Sequence, residues 1–197
     1  MDGPRTPARA EAPAAASSDK LEKAIFASGC FWCSESDFEK VPGVVTVVSG
    51  YTGGTLKNPK YEQVGEGDTG HAEAVEVTFD PAKVSYASLV DYYWHHTDAV
   101  DGGGQFCDRG NQYRPAIFVR GEDQKKIAED SKAALDKSGV LPAPVAVEIT
   151  PATEFYMAEG YHQDYYKTHT LKYNFYRQGC GRDARLNSLW GSKAAGH

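Results

Sequence analysis

The apolar run Ala24-Ile25-Phe26-Ala27 halts at Gly29, and Cys30 then opens a segment that ends at Pro42-Gly43. A short apolar run of this kind reads as a buried strand. Beyond the glycine, Phe31, Phe38 and Val41 fall roughly on one helical face, so a helix starting near Cys30 is predicted. A strand turned sharply into a helix has to bury a sheet face against a helix stripe. That confines the chain to folds with layers of both kinds.

The rest of the pattern extends this layout. The β-branched stretch Val44 to Val48 reads as a strand, as do Ala72 to Phe79 and Ala116 to Val119. Val145, Val147 and Ile149 alternate as a further strand. Ser85 to His96 carries Tyr86, Leu89, Val90 and Tyr93 on one helical face, and Glu122 to Ser138 is a polar helix stopped by Gly139. Gly50 to Gly70 is expected to be a long functional loop, and Gly102-Gly103-Gly104 to begin a second, flexible one. The aromatic tail from Ala158 is expected to be helical at first, then irregular around Gly179-Cys180-Gly181. No internal repeat is present, and 197 residues suit one core. The expectation is a single α+β domain with a mixed sheet flanked by helices.

Several function classes fall away. The net charge of -6, with no basic stripe, argues against a nucleic-acid binder. No apolar run approaches the ~18 residues that span a bilayer. Met1 to Ser18 is rich in Ala, Pro and Ser and lacks an apolar h-region, so residues 1–20 read as a disordered leader ahead of a catalytic domain over 21–192. The expected compartment is the cytoplasm; the periplasm is the alternative if the leader is the remnant of a removed signal.

A chain with a full core needs no staples, so Cys30, Cys33, Cys107 and Cys180 read as reactive thiols. Free cysteine is more often a buried packing residue. The strand-turn-helix setting of Cys30 points the other way: the helix dipole there is expected to lower its pKa. The Cys30-Cys33 spacing also suits a thioredoxin-like redox centre or half of a zinc site. The adjacent histidines, His95-His96, point in different directions on a helix, and no second close cysteine pair exists, so no metal is expected. A thiol-disulfide oxidoreductase and a metal-binding module are the rival classes.

Glu73 shares a strand face with Val75, Val77 and Phe79. It is either at a solvated strand end or partly buried. If buried, it stays protonated near neutral pH, ready to act as a general acid. Glu76 faces the other way and is expected to be exposed.

The segments Gly29-Cys30-Phe31-Trp32, Gly50-Tyr51-Thr52-Gly53-Gly54, Asn58-Pro59-Lys60-Tyr61, Gly67-Asp68-Thr69-Gly70-His71-Ala72-Glu73 and Gln112-Tyr113-Arg114 stand in that order. Together they resemble the A-type peptide methionine sulfoxide reductases, from about Lys23 to Trp190. The resemblance implies a two-layer α/β sandwich of the ferredoxin-like plait with long irregular loops and a C-terminal tail. It implies that Cys30 attacks the sulfoxide sulfur, Glu73 gives the oxygen its proton, and Tyr61 and Tyr113 hydrogen-bond that oxygen. Phe31 and Trp32 would hold the substrate methyl group, and Asp108 would help to hold the site. A second thiol would condense with the Cys30 sulfenic acid: Cys180 first, because its glycine neighbours give it mobility, then Cys107, then Cys33. The cysteine at 33 departs from the commoner family glycine. An external dithiol such as thioredoxin would finish the cycle, with no bound cofactor. The substrate would be the S epimer, free or in oxidised proteins, and the enzyme a monomer.

Overall fold

Ala24 and Phe26 point to one side of the first strand and Ile25 and Ala27 to the other, and all four are fully buried. The sheet they belong to is therefore covered on both faces. The computed structural model describes residues 20–191. Its elements begin with β1 (Glu22–Ala27), α1 (Phe31–Glu39), β2 (Val44–Thr52), α2 (Tyr61–Gly65), β3 (Ala72–Phe79) and α3 (Tyr86–His95). A two-residue hairpin, β4 (Gly104–Gln105) and β5 (Asp108–Arg109), precedes β6 (Ala116–Val119) and α4 (Gly121–Ser138). β7 (Glu148–Pro151), β8 (Tyr156–Met157), α5 (Tyr165–Thr168), α6 (Thr170–Gly179) and α7 (Arg182–Trp190) complete it. The leader expected over residues 1–20 lies, apart from Lys20, outside the described residues.

The main sheet runs β7-β6-β1-β3-β2-β8. Its centre, β6-β1-β3-β2, is antiparallel throughout, and its chain order is β1-α1-β2-β3-α3-β6. That is the ferredoxin-like plait. β7 extends it in parallel to β6 after α4, so the sheet is mixed. Helices cover one face, where Phe26, Val75, Val77, Phe38, Leu89, Tyr93 and Leu186 form the main core. Phe26 stacks on Phe38 with ring centroids 4.8 Å apart. The opposite face carries Ile25, Ala27, Ala72, Ala74, Ala116 and Phe118 and is closed by Ala152 and Phe155, in the segment between β7 and β8. No helix among the described residues is long and apolar enough to cross a membrane.

Several local expectations need correction. The Gly50 to Gly70 stretch is not all loop: β2 runs on to Thr52, and α2 forms at Tyr61. The triple-glycine segment ends in the β4-β5 hairpin. The strand expected around Val145 to Ile149 starts at Glu148; Val145 and Val147 are buried just ahead of it. The tail is helical throughout its end, because Gly181 takes the left-handed conformation (φ 68°) and relays α6 into α7 rather than leaving the chain irregular. Glu76 does face away from Glu73, but it is half-buried and paired with Lys23 and Arg120, both at 2.8 Å.

Candidate active site

Gly29 makes the turn between β1 and α1 at φ +85°, and a Cβ there would lie 2.6 Å from the Cβ of buried Gln105. Only glycine fits both demands. The turn delivers Cys30 to the N-cap of α1, with Phe31, Trp32 and Cys33 in the first helical turn. Cys30, Phe31, Trp32, Tyr61, Glu73, Asp108, Tyr113 and Tyr176 line one cavity of about 60 Å³. At about 30 Å³ for each liquid water that is room for about two waters, or for a small group of comparable size.

Each lining group arrives on its own element. β3 presents Glu73 on the helix-covered face, where it is 3 % exposed. The backbone N–H of Phe31 donates to Glu73 Oε2 over 3.1 Å. Burial pushes the Glu73 carboxyl up to about 8, against that hydrogen bond and with help from the Asp108 charge. Tyr61 starts α2, its N–H held by Glu159 Oε2 at 3.2 Å. Tyr113 ends a one-turn 3-10 segment, and Gln112 beside it donates to the Gly65 carbonyl at 3.1 Å, tying the two tyrosine-bearing turns together. Burial raises both phenols, Tyr61 to about 12, so both stay O–H donors.

A glycine and a histidine of the motifs hold the loop between β2 and α2. His71 Nδ1 accepts the Gly54 N–H at 3.1 Å, so its Nε2 carries the proton and donates to the Leu56 carbonyl at 2.7 Å. A Cβ on Gly54 would lie 2.4 Å from the His71 nitrogen, which leaves no alternative to glycine there.

The aromatic wall has support from the tail. The Trp32 indole donates to His162 Nδ1 at 3.0 Å and stacks on Tyr165 with centroids 3.7 Å apart. Tyr176 donates to Asp108 Oδ2. Tyr176, His162 and Tyr165 were not anticipated: the tail is dense in tyrosine, and nothing in its sequence marks the ones that turn inward.

The cysteines divide into two pairs. Cys30 and Cys33 are free and buried. Burial raises the Cys30 thiol well above its ordinary value, and Cys33 beside it raises it further, so the expected lowering by the helix dipole is overturned: desolvation outweighs a partial charge that acts from one end. Cys33 is lowered to about 7, first by the hydrogen bond from Cys30, against its own burial, and then by Arg182 and Arg177. Those arginines belong to a buried ion cluster in which Arg177 Nη1 lies 2.9 Å from Asp37 Oδ1 and Nη2 2.8 Å from Asp183 Oδ1. Cys107 and Cys180 are joined by a disulfide. Cys180, at the C-cap of α6, is the partner of Cys107 in that bond.

The chain matches the family described as peptide methionine sulfoxide reductase over residues 22–194. It belongs to that family. A peptide methionine sulfoxide reductase of Listeria innocua is 54% identical over 172 residues, 87% of this chain and 97% of the relative. Methionine sulfoxide reductase A of Corynebacterium diphtheriae shares the fold at TM-score 0.69 and 35% identity, covering 77% of this chain and 76% of that one. Reduced Mxr1 of Saccharomyces cerevisiae does so at TM-score 0.71 and 28% identity, covering 78% and 88%. As a peptide methionine sulfoxide reductase the chain is an oxidoreductase, and its chemistry is the thiol-dependent reduction of methionine sulfoxide.

Proposed function

We propose that Cys30 is the nucleophile, Glu73 the acid, and Tyr61 and Tyr113 the oxygen site for reduction of the S epimer of methionine sulfoxide, free or in oxidised proteins. The single observation that supports this most is that all four groups face one cavity of about 60 Å³. The methyl group packs on Phe31 and Trp32, and Asp108, held by Tyr176, closes the same wall. At rest Cys30 and Glu73 are both neutral, because burial raises both. The Cys30 sulfur attacks the sulfoxide sulfur while Glu73 gives its proton to the oxygen, and the thiol proton returns to the Glu73 carboxylate. Thiol and sulfoxide become sulfenic acid and methionine, and no net charge is left in a dry pocket. The tyrosine hydroxyls stabilise the negative charge on the oxygen as the sulfur-oxygen bond breaks.

Cys33 then condenses with the Cys30 sulfenic acid to a disulfide and water. Its contact with Cys30 and its lowered pKa support it as the first resolving thiol, ahead of Cys180, which we assign to the outer Cys107-Cys180 pair. A thioredoxin-type dithiol, with no bound cofactor, then returns Cys30-Cys33 to thiols by exchange and becomes a disulfide itself, while Cys107 of the outer pair is exposed. The proposal includes a monomer acting in the cytoplasm, whose thiol pool supplies the reductant.

Mass mapping of the fully reduced protein after one equivalent of methionine sulfoxide tests the assignment. A Cys30-Cys33 link, with Cys30→Ser unable to release methionine, is expected. Methionine release by Cys30→Ser sinks it.

A further inference from the structure

Cys107 and Cys180 stand with their Cα atoms 4.9 Å apart, next in the chain to the cavity-lining Asp108 on the Cys107 side. Asp108 follows Cys107 directly, and its two oxygens face different partners. Oδ2 accepts the Tyr176 hydroxyl, while Oδ1 lies 4.0 Å from the Cys107 sulfur. One donor atom from each of Cys107, Asp108 and Cys180 falls within 4.8 Å of the other two. Cys107 is exposed, and the other two are half-buried.

We propose that reduction of the Cys107-Cys180 bond creates a binding site for a divalent cation of the zinc class, held by both thiolates and Asp108 Oδ1, with a fourth position open to solvent. An external dithiol gives two electrons to the bond, becomes a disulfide itself, and leaves two thiols. The cation then displaces the two thiol protons to solvent and takes both sulfurs as thiolates.

The geometry suits this class of ion. Tetrahedral zinc sits about 2.3 Å from sulfur and about 2.1 Å from oxygen, so its donors lie about 3.5–3.8 Å from one another. The 4.0 Å between Cys107 Sγ and Asp108 Oδ1 needs only a small adjustment to meet that. Two thiolates with one carboxylate favour zinc over magnesium or calcium, which prefer all-oxygen ligands. The Tyr176 hydroxyl on Oδ2 supplies the outer hydrogen bond that orients a ligating carboxylate. The same sulfurs cannot hold a metal and a disulfide at once, so the ion is confined to the reduced protein. Once bound, it withdraws the outer pair from the redox cycle and takes an oxygen of a cavity-lining residue. That consequence rests on the reductase assignment; binding itself does not.

The test uses the full chain, reduced with a phosphine, freed of reductant without air, and titrated with Co²⁺. Thiolate charge-transfer and tetrahedral ligand-field bands are expected, saturating at one equivalent, absent from the disulfide form and displaced by Zn²⁺. They should vanish in Cys107→Ser and in Cys180→Ser and persist in Cys33→Ser. Asp108→Asn should weaken binding by about tenfold or more. A flat titration of the reduced protein, bands that survive Cys107→Ser, or bands that disappear with Cys33→Ser each overturn the site. Unchanged affinity in Asp108→Asn overturns the carboxylate ligand. Methionine release by the metal-free protein, measured separately, reports on the reductase assignment alone.

Discussion

The backbone N–H of Phe31 donates to Glu73 Oε2 over 3.1 Å, so the Glu73 carboxyl is held by the peptide unit that directly follows Cys30. The bond favours the ionised carboxylate, and burial favours the neutral acid. Burial wins, because the group is 3 % exposed and holds its proton up to about pH 8.

Replacing Glu73 with glutamine removes the proposed proton donor while keeping the shape. Methionine release in a single turnover should fall by about 10²–10⁴-fold. In the parent the acid form is present below about pH 8 and lost above it, so the rate of this step should drop on the alkaline side near that value. A rate that Glu73→Gln leaves unchanged removes Glu73 as the acid.

The same substitution should stabilise the fold at high pH. Glu73 goes from 4.5 to about 8 on folding. Its stabilising share is whole below the unfolded value and is lost as pH rises through the folded one, at about 1.4 kcal/mol for each pH unit between them. Glu73→Gln should therefore gain several kcal/mol over the parent at pH 9 and show little difference at pH 4. Urea midpoints at the two values decide it.

Arg177 pairs with Asp37, which is 1 % exposed. Arg177→Met leaves that carboxylate buried with Arg182 Nε at 3.9 Å as its remaining cationic neighbour. The loss should be roughly 3–5 kcal/mol, read as a lower urea midpoint with an unchanged slope. Adding Asp37→Asn should recover part of it.

His162 fixes the Trp32 indole through an unprotonated Nδ1. His162→Phe should raise KM for methionine sulfoxide several-fold while the single-turnover rate changes little. Burial lowers the His162 pKa, so in the parent the bond survives mild acid, and KM should climb only below the usual histidine range. An equal loss in both constants points to a general collapse of the site instead.

Periodicity carried the sheet and its main helices. Alternation in Ala72 to Phe79 placed Glu73 on the apolar face, and Gly139 marked the end of α4, because both signals are local and backbone geometry repeats them. The five motif segments likewise marked Cys30, Glu73, Tyr61 and Tyr113, which the fold brings to one cavity. The tail was not legible in the same way. Tyr176, His162 and Tyr165 sit among many tyrosines, and which of them turn inward depends on α1 and β5, distant in sequence.

What the sequence marked by itself was the main strands and helices and the place of Cys30 at a strand-to-helix turn, since turn residues and side-chain period act over a few neighbours. What only the tertiary structure decided was protonation and pairing. Desolvation holds Cys30 and Glu73 neutral, and the approach of α6 to the β4-β5 hairpin joins Cys180 to Cys107 and leaves Cys33 beside Cys30. Both depend on what surrounds a group in space, which no spacing along the chain records.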